Sequence, residues 1–228
     1  MSDAQVPPSL VAPPLPPGPG DRSGPPWEHP GPWLGRFVDT VKGVLTEPRR
    51  TFAHMRREGG LTAPLRFAVI GLIVGSVASL VFQAVGVGAS LAPFLGDRTP
   101  GAASILGTLI IVPVVATVSL FVFSGLFHLM LLLLNGAHHP FETTFRTYAY
   151  VSGATALLGL VPVCGGLIGA VWSVVAAIIG LTETQDTSTG TAAVAVSVPL
   201  AVCCGAVVIV FGASLLALAG LAALAGFN

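Results

Sequence analysis

Charge is what this chain has least of. Only 9% of its 228 residues are Asp, Glu, Lys or Arg, about a third of the share carried by soluble globular chains. A surface facing water cannot be built from so little, and 53% hydrophobic residues with a mean hydropathy of +0.85 leave a bilayer as the main solvent. Cysteine is nearly as scarce. Cys164, Cys203 and Cys204 all sit in apolar surroundings, the last two adjacent. That pattern excludes a disulfide framework or a zinc site and reads as small buried hydrophobes. No GxSxG elbow occurs, and no His is paired with a carboxylate inside an apolar run, so nucleophilic catalysis has no residues to work with. Glycine-rich stretches such as CGGLIG lie between apolar segments and do not follow a soluble strand, which argues against a phosphate cradle. With a net charge of zero, no nucleic-acid partner is expected.

What is present is a series of apolar runs longer than about 18 residues, each a candidate membrane span. The reading is an all-α polytopic transmembrane bundle of about five spans, over residues 64–86, 104–134, 148–161, 166–181 and 193–224. In the first, Gly71, Gly75, Ser79 and Gln83 recur every fourth residue and predict a small, close-packing face. The second is too long for a bilayer core of about 30 Å and must tilt, kink at Pro113 or project beyond it. Asn135 and Gly136 cap it. Pro162, Gly165 and Gly166 in VPVCGG divide residues 148–181 into two short helices, the second with Gly169, Ser173 and Ala177 on one face. Two full crossings and a re-entrant hairpin both fit these lengths. The polar loop TETQDTSTGTA then leads to a last run that Pro199 is expected to kink.

Ahead of the spans, residues 1–32 hold eleven of the nineteen prolines and are expected to form an extended cytosolic tail. Residues 33–60 predict two short amphipathic helices. Leu34, Phe37, Val38, Val41, Val44 and Leu45 share helical spacing in the first, while Pro48 starts the second and Gly59-Gly60 ends it. They lie either on the membrane surface, with Arg49, Arg50, Arg56 and Arg57 among anionic headgroups, or on the protein's own cytosolic face. Eight of the ten Lys and Arg precede or open the first span, which places the N-terminus in the cytoplasm, and five crossings place the C-terminus outside. Nothing before Leu65 resembles a cleavable leader.

Three polar features invite functional readings. His138, His139 and Glu142 place imidazoles and a carboxylate close together, but Pro140 interrupts them, and a solvated loop over 137–147 is preferred to a metal site. His128 lies on a polar stripe with Thr117, Ser124 and Asn135, inside an expected span. No Asp, Glu, Lys or Arg is predicted in a span core to relay a proton to it, so it reads as a histidine bonded to a neighbouring helix through Ser79, Gln83 or Ser173. No catalytic, cofactor-binding or metal residue is assigned.

The segments GVLTEPRRTFAHM, LTAPLRFAVIG, HPFETTFRTYAYVSGATALLGLVPVCGGLIGAVWSVVAAIIGL and STGTAAVAVSVPLAV, across roughly residues 35–210, resemble the bacterial branch of the Yip1 family of five-span membrane proteins. Nine arginines against one lysine, with abundant Ala, Gly and Pro, fit a GC-rich bacterial genome. The resemblance implies a multi-pass protein of the cell (inner) membrane without an enzymatic role, organising membrane or protein partners or a homo-oligomer. Eukaryotic relatives are tied to vesicle trafficking and small-GTPase binding, but their DLYGP motif is absent here. A small transporter or channel subunit is the alternative, suggested by the paired short helices around PVCGG.

Overall fold

The computed structural model describes residues 22–85 and 102–225, and among these the chain is helical with no strand. The expected tail over residues 1–21 and the expected loop over 87–101 lie outside the described residues. A 3-10 turn, Pro26–Glu28, precedes α1 (Trp33–Thr46) and α2 (Pro48–Ala53). Then come α3 (Thr62–Ala84), α4 (Ala102–Leu133), α5 (Phe141–Ala156) with a 3-10 turn at Leu157–Leu160, α6 (Gly165–Thr184) and α7 (Thr189–Ala225). Four of these, α3, α4, α6 and α7, are long and apolar enough to cross a membrane.

Their lengths follow from uninterrupted apolar sequence and their ends from turn chemistry. The 32 residues of α4 extend about 48 Å at 1.5 Å each, well past a hydrocarbon core of about 30 Å. Pro113 lies within the helix, and the Thr117 hydroxyl donates to its carbonyl at 2.7 Å. At the far end the Gly136 N–H donates to Leu131 O at 2.8 Å while Asn135 takes φ +52°, the expected αL ending.

The third expected span differs most. Its helix starts at Phe141, seven residues ahead of the expected 148, so the polar stretch read as a solvated loop is largely the opening of α5. Thr143, Thr144, Phe145, Arg146 and Thr147 are all buried. They escape the cost of burial because partners from four other segments satisfy them. This helix is the axis of the fold: α1, α3, α4 and α6 all pack against it.

Glycine makes the closest of these approaches. A methyl group at Gly71 would stand 2.1 Å from the carbonyl oxygen of Gly153, and one at Gly75 would stand 2.3 Å from that of Ala156. Thus α3 and α5 meet backbone to backbone along the small-residue face predicted for α3. On α6, Gly180 performs the same service against Thr147 and Phe52.

The amphipathic segment packs on the bundle. Phe37, Thr40 and Val44 of α1 are buried, as are Phe52 and Met55, while Trp33 and Leu34 stay exposed. The expected tail also ends earlier than residue 32. Trp27 lies edge-on to Phe37 and Phe67, with ring centroids 5.9 and 5.8 Å apart, and its indole N–H donates to Ala63 O at 2.8 Å. An aromatic side chain with an apolar slot and a carbonyl to bond holds this Pro-rich stretch in place.

Candidate functional site

One face of the first half of α5 carries Glu142, Thr143, Arg146 and Tyr150, positions that fall together at 3.6 residues per turn. Opposite it run the residues linking α2 to α3. Gly59 and Gly60 take φ +136° and +86°, backbone that glycine adopts freely, and this turn delivers the Gly60 carbonyl to Arg146. The Arg146 guanidinium is wholly buried. Its Nε donates to Arg56 O at 2.9 Å, its Nη1 to Gly60 O at 2.7 Å, and its Nη2 to the Glu28 carboxylate. Tyr150 donates to the same Glu28 oxygen at 2.6 Å. Glu142 accepts the Gly60 N–H at 2.6 Å and lies 3.9 Å from Arg146, while Thr143 donates to Arg57 O at 3.0 Å. A buried cation is tolerable only when paired and hydrogen-bonded, and here it is both.

The other face of α5 is polar too. Thr144 Oγ1 hydrogen-bonds His128 Nδ1 at 3.0 Å and accepts from Gln185 Nε2 at 3.0 Å, and Thr147 shares a hydrogen bond with Thr184 at 2.9 Å. The expected neighbour-helix bond of His128 is therefore present, but its partner is Thr144. Ser79 and Ser173 instead bond carbonyls of their own helices, and the Gln83 side chain lies outside the described residues.

His138, His139 and Glu142 diverge. His138 Nδ1 meets Gln185 O at 2.9 Å, His139 Nε2 meets Asp186 at 3.0 Å, and Glu142 turns to Gly60. Among the described residues no three His, Cys, Asp or Glu come together as a metal site. Asp186, at φ +51° in the α6–α7 link, also pairs with Arg57 and with Arg22 at 3.6 Å. Burial works against its charge, but the His139 hydrogen bond and the charges of Arg57 and Arg22 outweigh it and hold the carboxyl below its ordinary value.

Three of the four arginines expected among headgroups have carboxylate partners within the chain: Arg49 with Glu183 at 3.0 Å, Arg50 with Glu47 at 3.2 Å, and Arg57 with Asp186. The cysteines correct another expectation. Cys164 and Cys204 are exposed and Cys203 is half-buried, because the VPVCGG turn and the outward side of α7 leave them uncovered by protein.

A cleft of about 520 Å³ opens between α3, α4, α5 and α6, with Ser76, Ser79, Ser152, Thr155 and Ser173 among its lining. A second, of about 780 Å³, lies between the Trp27–Glu28 turn, α1, α3 and α4.

Neither the role of Glu28 nor that of Gln185 was visible in the sequence. The available signal was local: Trp27-Glu28 is the one aromatic and acidic pair in the Pro-rich segment.

Long apolar helices packed through glycine, with their polar groups gathered around one buried helix, define a multi-pass helical membrane protein. The Yip1 domain model matches residues 42–211, well over half of the chain, and the chain belongs to the Yip1 family. No curated protein and no solved structure matches it.

Proposed function

We propose that this protein is a non-catalytic organiser of its membrane, acting through helix faces and not through a reaction centre. The observation that carries this reading is how the polar groups are used. Arg146, Glu28, Tyr150, Thr144 and Gln185 are committed to one another or to backbone carbonyls, and among the described residues no nucleophile and base converge on a cavity. Outward, α4 and α7 present long apolar faces, among them Ile110, Val114 and Val118 on α4 and Val208, Ile209 and Phe211 on α7. Such faces suit lipid and the helices of protein partners or of a second copy.

In this reading the protein sits in the inner membrane with its N-terminus in the cytoplasm, because Arg22 through Arg66 concentrate the cations ahead of or at the start of α3. Five crossings would use α5 with its 3-10 turn as the third and bring the C-terminus outside. Thiol labelling at Cys164 from the outer side, with Cys203 and Cys204 replaced, is the expected result. Labelling only from the cytoplasm would overturn this topology. For the organising role, photo-crosslinkers at Ile209 and Phe211 should trap one defined protein or a second copy. Adducts to lipid alone would count against it.

The hydroxyl-lined cleft favours a second reading, a small transporter. Reconstituted vesicles should then show a solute flux that falls when Ser76 and Ser152 become alanine. Flux equal to that of empty vesicles would dismiss it.

A further inference from the structure

We infer that the cavity bounded by Arg36, Arg56 and Arg66 is a binding site for the phosphodiester headgroup of an anionic glycerophospholipid. The inference rests on the membrane reading above and adds a specific ligand to it. Three arginines and one carboxylate line this cavity of about 780 Å³. The carboxylate, Glu28, is already engaged by Arg146 and Tyr150, so the lining keeps a surplus of positive charge. Among the described residues neither Arg56 nor Arg66 pairs with a carboxylate, in contrast to Arg49, Arg50 and Arg57. Arg36 stacks its guanidinium 5.6 Å from the centre of the Trp27 ring, and its buried Nε–H has no acceptor among the described residues. Its Nη1 donates to the carbonyls of Trp27 and His29, and a guanidinium fixed this way, with Nε–H free, matches phosphate oxygens in geometry as well as charge.

The rest of the lining explains why the anion should carry acyl chains. Arg66 stands one turn into α3, and the next turn contributes Val69 and Ile70, about 5 Å deeper along the axis. Pro113 and Thr117 of α4 close the opposite wall. Beyond them the surface is apolar, with Val74, Val114 and Val118 exposed. Trp33 and Leu34, at the start of the helix that bears Arg36, are exposed as well and suit the membrane interface. A free phosphate would use the arginines and leave this apolar extension empty. An anionic lipid uses both.

The test is native mass spectrometry of the full chain, released from detergent in a mixture of equal amounts of phosphatidylglycerol and phosphatidylcholine. Phosphatidylglycerol should be retained preferentially. The R56Q/R66Q variant should weaken its binding about twenty-five-fold, from a factor of about five for each cation lost. R49Q/R50Q removes equal charge from α2, outside this cavity, and should leave the affinity within about twofold of the parent. Equal retention of both lipids, equal losses in both double variants, or displacement by millimolar inorganic phosphate would each overturn the site. A melting temperature matching the parent certifies the fold of R56Q/R66Q. Should that variant not fold, R66Q alone, at an exposed position, carries the same comparison with an expected loss of about fivefold. A chain that needs detergent for extraction but shows no lipid preference loses only this site. A chain released from membranes without detergent loses the membrane reading itself.

Discussion

Replacing Glu28 by alanine removes the carboxylate that faces a guanidinium with no exposed surface. Truncating one partner of a buried ion pair costs about 3–5 kcal/mol, because the other charge is left stranded away from water. Arg146 keeps its bonds to the carbonyls of Arg56 and Gly60, with Glu142 3.9 Å away, so the lower end of that range applies. At about 2–4 °C per kcal/mol for a chain of this size, the melting temperature in detergent should fall by about 6–12 °C. R146M should cost more than E28A, since it leaves the Glu28 carboxylate without its cation, held by Tyr150 alone, and frees two carbonyls at about 1–3 kcal/mol for each unsatisfied group. The E28A/R146M double variant removes both charges and should recover part of the loss, giving a coupling energy of about 2 kcal/mol or more across the cycle. Hydrogen exchange adds a local readout: protection of Trp27 and its neighbours should drop in E28A before that of α3. Additive single losses, or an E28A melting point unchanged from the parent, would refute the claim that this pair fastens the N-terminal segment to α5.

Gly71→Ala should destabilise by about 1–3 kcal/mol in a thermal melt, since the added methyl meets the Gly153 carbonyl at 2.1 Å. Gly125→Ala on α4, with open space around the new methyl, should be neutral or gain up to about 1 kcal/mol. Acidification should act through Asp186, whose depressed carboxyl lends stability that is complete above about pH 4 and is lost as pH falls through its lower folded value. Melting temperatures of D186N should therefore lie slightly below the parent at neutral pH and converge with it once pH falls below the carboxyl's lowered folded value, whereas a constant gap would contradict the assignment. Val163 holds φ +70° in the turn ahead of α6, where a β-branched residue is strained. Val163→Gly should raise stability by up to about 1 kcal/mol by denaturation, and a loss would show the turn to be relaxed as it stands.

The spans α3, α4, α6 and α7 were legible because a long apolar run has few other uses, and their ends fall within a few residues of those read from Gly, Pro and Asn punctuation. The α3 face of Gly71 and Gly75 was legible from spacing alone. The start of α5 was not. Its opening FETTFRT has the composition of a water-exposed loop, and what makes it a buried helix is supplied by residues far away in sequence: Glu28, Arg56, Gly60, His128 and Gln185. A periodicity argument weighs each residue by its own preference for water and cannot see partners that arrive from 118 positions away. Trp27 and Glu28 were hidden in the same way, inside a segment whose prolines suggested an extended tail.

The polarity of α5 bears on how the protein is assembled during synthesis. At about 5–20 residues per second, the 118 residues between Glu28 and Arg146 take about 6–24 s to make, so the acid is finished well before the base. In the five-crossing topology proposed above, until the two meet α5 offers the bilayer a guanidinium, a carboxylate and four threonines, too polar a load to settle there unaided. In that topology the segment made first waits beside the membrane as a chaperone for a helix made later. A fusion or insertion that carries the first thirty residues away from the insertion site would leave α5 without its carboxylate at the moment of entry.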